Sequence, residues 1–221
     1  MRKRLYRLLV LLIITLVFMD FHCSKEPYEI EYQYNFVEKV DLFPAQKTYH
    51  IGDTVWVQYV NTDNKFLDSR TSQRILADSL SIHFEVSLDA LYNTTVNPAA
   101  GFCDFVSPAG VNIGRSLGHF GTGSFLEFGC NTSNNYSFKI GIVFKERGIF
   151  IVNLSRELEV YRCNGSVKNF PDSNLEYTFN LGDGNKDVYF SIPLASRGGK
   201  KASNAMEDRI DGKKAFALRV E

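Results

Sequence analysis

Covalent chemistry in this 221-residue chain falls first to four cysteines, Cys23, Cys103, Cys130 and Cys163. A reactive cysteine needs nearby cations to stabilise its thiolate, and no basic cluster stands beside Cys103, which reads as a small buried hydrophobe. Cys23 follows the only strongly apolar run, leaving it three roles: lipid attachment, disulfide pairing, or the end of a discarded leader. His50, His83 and His119 stand alone, without a second ligand at a recognised zinc spacing, and read as surface residues. The glycine-rich GRSLGHFGTG (114–123) lacks the Gly-Lys-Ser/Thr ending of a phosphate loop and reads as a flexible loop. No G-x-S-x-G elbow occurs, so a hydrolase has no visible nucleophile. NTDNKFLD (61–68) and LGDGNKD (181–187) gather oxygens as calcium loops do but lack the full ligand spacing, and turns use the same residues. The expectation is no catalytic set, no cofactor and no metal.

The elements that must position these residues begin with a leader. Arg2, Lys3, Arg4 and Arg7 precede an apolar run over 8–19 broken only by Thr15, the order of a secretory signal. As a helix the run covers about 18 Å, against about 30 Å for a hydrocarbon core, and Asp20 closes it, so export fits better than a permanent span. A short leader ending in Cys and followed by Ser24-Lys25-Glu26 resembles a bacterial lipoprotein of the Bacteroidota type. That resemblance implies a signal peptide over 1–22, a diacylglycerol on Cys23, a tether over 23–30 and a lipid-anchored place at the outer membrane, facing the periplasm or the surface. Asp20, Phe21 and His22 stand where that family carries small residues. Without lipid on Cys23, the product is secreted or held at the inner membrane, and a disulfide role for Cys23 reopens.

Without residues 1–22, 21 Lys+Arg stand against 24 Asp+Glu, a net charge of −3. Nucleic acid rewards a concentrated basic surface, so it is not an expected partner. With 18 Phe and 11 Tyr the composition favours pleated, half-buried surfaces. Strands are expected over 31–43, in YHIGDTVWVQYV (49–60) with Val55, Val57 and Tyr59 alternating against Trp56 and Gln58, and in SIHFEVSLDAL (81–91) with Ile82, Phe84, Val86 and Leu88 on one face. Residues 70–80 suit a helical turn, and 93–135 a long loop insertion with short edge segments. YSFKIGIVFKERGIFIVNLS (136–155) reads as a hairpin turning at Glu146–Arg147. Continued outward, its ladder sets Cys130 opposite Cys163, which makes them the disulfide candidates; a one-residue bulge shifts that register. LEVYRC, LEYTFNLG, DVYFSIP and KAFALRV read as strands or extended pieces, and 203–210 as a short helix.

YHIGDTVWV (49–57) resembles the second strand of many immunoglobulin-like domains, and FKERGIFIV (144–152) their penultimate strand; both also resemble segments of small Bacteroidota lipoproteins of unknown function. The expected fold is all-β: an antiparallel immunoglobulin-like β-sandwich over 31–221 with a long loop insertion and at most one or two short helices. The expected function is a non-enzymatic binding or structural accessory module of the cell envelope, with the membrane as one partner and a glycan or a protein as another. Exposed aromatics on a flat sheet suit glycans, and an open edge suits a peptide. The alternative is an envelope enzyme with a site assembled from loops in 93–135.

Overall fold

The computed structural model describes residues 34–76, 80–92, 101–108, 114–117, 121–128, 136–154, 158–162, 173–197 and 199–221. Tyr32–Glu221 form one compact unit. Cys23, Cys130 and Cys163, with the leader and tether, lie outside the described residues.

The body is an all-β sandwich. Its strands are β1 (Tyr34–Phe43), β2 (Thr48–Tyr49), β3 (Thr54–Tyr59), β4 (Lys65–Asp68), β5 (Gln73–Leu76), β6 (Leu80–Tyr92) and β7 (Cys103–Val106). After these come β8 (Gly114–Leu117), β9 (Gly121–Phe128), β10 (Phe138–Phe144), β11 (Gly148–Leu154), β12 (Leu158–Arg162), β13 (Ser173–Phe179) and β14 (Ala215–Val220). Helices α1 (Lys186–Phe190) and α2 (Gly199–Asp211), with a 3-10 turn at Leu194–Arg197, fill the connection from β13 to β14.

One sheet runs from the end of β1 through β3 and β10 to β7, all antiparallel. In the other, β6 is flanked by β9 on one side and by β11 and then β12 on the other, while β14 lies beyond β11 and β8 beyond β9. Strands β1 and β12 make the corners. Residues 34–40 of β1 pair with β13, whereas 41–43 pair with β3; Leu158 and Glu159 of β12 pair with β13, whereas 160–162 pair with β6. Most pairs are antiparallel, and β1–β13 and β2–β14 are parallel.

Alternation builds the core. Val55, Val57, Tyr59, Phe138, Ile140, Ile142 and Phe144 point inward from one sheet, and Phe84, Val86, Leu88, Phe150, Val152, Phe216 and Leu218 from the other. Phe84 stacks on Phe138 across the sandwich at 4.0 Å between centroids, an aromatic pair worth about 0.5–1.5 kcal/mol beyond its area. Strand β11 is buried on both faces because Ile151, with Ala215 and Ala217 of β14, packs under α1 and α2 through Val188, Tyr189 and Ile210. The alanines leave room for helices to sit close on that outer face.

Four expectations give way here. Strands β10 and β11 do not form a hairpin: β10 pairs with β3 and β7, β11 with β6 and β14. Their short connection arches from one sheet to the other, so the apolar faces oppose each other, and Phe144 meets Phe150 at 6.2 Å. The ladder that placed Cys130 opposite Cys163 is therefore absent. Strands β9 and β12, which lead toward those cysteines, lie on opposite sides of β6 with Phe128 and Val160 both paired to Ile82, two strand spacings or about 9.6 Å apart. The 93–135 insertion carries the expected short segments, β7 and β8 among them, but GSFLEFG lies in β9, which is no edge: it pairs with β6 over eight residues and with β8 on its other side. Residues 70–76 form a turn and β5 rather than a helical turn. DVYFSIP contains α1 instead of a strand: Asn185 precedes it with φ 55°, and burial of Val188 and Tyr189 against β14 overrides their strand preference. The expected 203–210 helix is present within α2.

Candidate functional site

The two outer faces of the sandwich differ. Helices cover β11 and β14, while the face of β1–β3–β10–β7 carries no covering element among the described residues. Register places its outward side chains in rows. Asp41, Gln58 and Lys139 form one; Phe43, Trp56, Gly141 and Val106 the next; Thr54, Val143 and Asp104 a third.

The middle row is built around Gly141. A Cβ there would lie 2.7 Å from Val106 Cγ2, 2.8 Å from Trp56 Cζ3 and 3.0 Å from Thr54 Cγ2. The missing side chain lets the Trp56 indole lie over the β10 backbone. Phe43, 37% exposed, flanks the indole across the ladder. The Lys139 ammonium sits 4.6 Å from the Trp56 ring centroid and 5.2 Å from that of Phe43, within reach of both ring quadrupoles. Around this platform the carboxylates are engaged elsewhere: Asp41 accepts from Asn180 Nδ2 at 2.9 Å, and Asp104 accepts from Lys145 Nζ at 2.9 Å. Lys139 forms no ion pair with any described residue.

A second constellation is buried. Glu38 occupies an inward position of β1 between Phe36 and Val40, 7% exposed. It accepts the Leu67 N–H at 2.7 Å and faces Arg74 Nη1 at 3.6 Å. Burial pushes its carboxyl above the usual range, against the lowering effects of the Leu67 N–H and Arg74. Burial, and next the Glu38 charge, push the Tyr59 hydroxyl up. Asn61 Nδ2 donates to Tyr59 Oη at 2.8 Å and to the Lys65 carbonyl at 3.1 Å, while Tyr177 Oη is fully buried with no hydrogen-bond partner among the described residues. The β4–β5 hairpin roofs this network, with Phe66 fully buried beneath it. With Glu38, Tyr59 and Tyr177 buried and Arg74 half-exposed at the rim, the cluster fastens the hairpin to β1.

A third group fastens α2. Arg209 donates to the Leu154 carbonyl at 2.8 Å and to Asn153 Oδ1 at 3.4 Å, and Asn153 Nδ2 donates to Asp89 at 2.8 Å. Burial raises the Asp89 pKa; Arg209 opposes the shift.

The residues singled out from sequence do not converge. Cys103 is buried at 5% exposure on β7, as a small hydrophobe should be. His50 is exposed beside Asp53, His119 lies outside the described residues, and only the backbone of His83 is described. GRSLGHFGTG contributes β8 and the start of β9, which pair as antiparallel strands, so the flexible-loop expectation is corrected there. Both calcium-like segments act as turns: Asp63 accepts the Lys65 N–H and Asp183 the Asn185 N–H. Among the described residues no cluster of three or more His, Cys, Asp or Glu could hold a metal, and no helix is long and apolar enough to cross a membrane. Sequence alternation set Trp56 opposite Val55 and Val57 without assigning it an open face, and Phe43 and Lys139 join it only through strand pairing. Glu38 had a signal of its own, a carboxylate in the inward phase Phe36, Val40, Leu42. Neither a known protein-family model nor a curated protein sequence matches this chain.

Proposed function

We propose that this chain is an exported envelope lipoprotein, anchored through Cys23, whose sandwich is a non-enzymatic binding module. The open face of β1–β3–β10–β7 is its binding surface. The observation that carries this reading is the Phe43–Trp56 platform: two aromatic rings side by side on a sheet face that no described element covers. The chain enters β1 at Tyr34, and Phe43 lies nine residues along, about 30 Å away at the rise of an extended strand. That length sets the platform well apart from the point where a tether joins the body.

Two measurements test the two halves. Metabolic labelling with a fatty-acid analogue should mark wild type and not Cys23→Ala; an unlabelled wild-type protein refutes the anchor. Co-sedimentation of the full chain with insoluble polysaccharides should retain wild type and leave Trp56→Ala and Phe43→Ala in the supernatant. Equal retention of all three refutes the assignment of the binding face.

A further inference from the structure

We infer that the platform selects acidic sugars, those carrying a carboxylate on the ring. The inference rests on the reading of this face as the binding surface and adds the ligand's chemistry.

The apolar part of the platform is the row of Phe43, Trp56 and Val106 with Val143 beside it, bounded by Asp41 and Gln58 on one side and Thr54 and Asp104 on the other. A stable protein interface takes about 800 Å² per partner with an apolar centre, far more than two partly exposed rings and two half-buried valines offer. A pyranose matches better: its C–H face stacks on one ring, and its rim hydroxyls meet Gln58, Thr54 and Asp41. Charge then separates acidic from neutral sugars. Of the two carboxylates of this face, Asp104 is paired with Lys145, and Asp41 keeps its charge on a hydrogen bond to the Asn180 amide, across Gln58 from Lys139; Lys139 rests on the rings without an ion-pair partner among the described residues. A ring carboxylate placed beside the stacked sugar meets that ammonium, gaining a charge-assisted hydrogen bond without displacing an internal ion pair. A polymer of such sugars presents the same group repeatedly, so weak single contacts add through avidity.

The test uses the full chain in detergent and oligomers of galacturonate, glucuronate and mannuronate, each beside its carboxyl-reduced neutral counterpart. Trp56 is the only tryptophan of the chain, so intrinsic fluorescence reports the platform directly, with calorimetry as the second readout. The expected result is binding of at least one acidic oligomer roughly tenfold or more tighter than its reduced form, a step of about 1.4 kcal/mol. Lys139→Met should erase that ratio while leaving the neutral affinity in place, and Trp56→Ala should abolish both. Raising salt from 20 to 200 mM, roughly a threefold shorter Debye length, should weaken only the acidic oligomer. Reduced oligomers binding as tightly as acidic ones overturn the charge selection and leave the glycan-binding face standing. No binding by any of the six overturns both.

Discussion

Adding one methyl group at Gly141 tests how the platform is made. In Gly141→Ala the new Cβ falls 2.7 to 3.0 Å from Val106, Trp56 and Thr54, all side-chain atoms. Ordinary carbon contacts lie at about 3.5–4.0 Å, so the indole must lift by roughly 0.7–1.2 Å. Overpacking of this kind costs about 1–3 kcal/mol, and the half-buried indole can move outward, so the lower half of that range is expected. A body of this size loses about 2–4 °C of Tm per kcal/mol, giving a drop of roughly 2–8 °C for a cost of about 1–2 kcal/mol. Because Trp56 is the only tryptophan, its emission should shift to longer wavelength and iodide should quench it more strongly, while far-UV dichroism is unchanged. Unaltered emission together with an unaltered melt would show that the indole does not lie over the β10 backbone, and the account of the platform would fall.

Tyr177→Phe should be neutral or stabilising by up to about 1 kcal/mol, because it removes a buried hydroxyl that has no partner among the described residues; destabilisation by a similar amount in urea melts would contradict this. Tyr59→Phe should instead cost about 1–2 kcal/mol, since it strands the Asn61 amide that Tyr59 Oη accepts from. Glu38 holds its proton to higher pH in the folded state than its unfolded value of 4.5, so its contribution to stability falls as pH rises from there through the raised folded pKa. Urea melts between pH 4 and 7.5 should therefore show Glu38→Gln gaining on wild type as pH increases, and a constant difference would count against the burial effect. Gly184→Ala brings a Cβ to 2.9 Å from the Ala215 carbonyl oxygen, a backbone atom that cannot step aside as Trp56 can; hydrogen exchange in α2 should rise, with a loss of about 1–3 kcal/mol.

What could be read from sequence divides along local and non-local lines. Strand β6 was legible because Ile82, Phe84, Val86 and Leu88 alternate without exception and all four are buried. The α2 helix was legible from its polar composition and spacing. The β10–β11 arch was not, since a short connection between two apolar strands permits either a ladder or a crossing, and only the partners β3 and β14 decide between them. Strand β11, apolar from Ile149 to Val152 and again at Leu154, lies between β6 and β14, and the helices α1 and α2 that cover its outer face come from a distant part of the chain. Short α1 was hidden because Val188, Tyr189 and Phe190 favour strands in isolation. The platform sits at the same boundary: local alternation separated Trp56 from Val55 and Val57 but not an open face from a covered one, and its two neighbours arrive from strands 13 and 83 residues away in sequence.

The split allegiance of β1 bears on how the body carries mechanical load. A pull applied at Tyr34 and resisted at the platform acts along β1, in line with seven parallel residue pairs to β13. Those pairs are strained together in shear and cannot open one at a time as a peeled edge does. Were the chain anchored at its amino end as proposed, with this face holding an immobile polymer, force would pass through β1 from one sheet to the other, and single-molecule pulling along that axis should meet a higher rupture force than pulling across it.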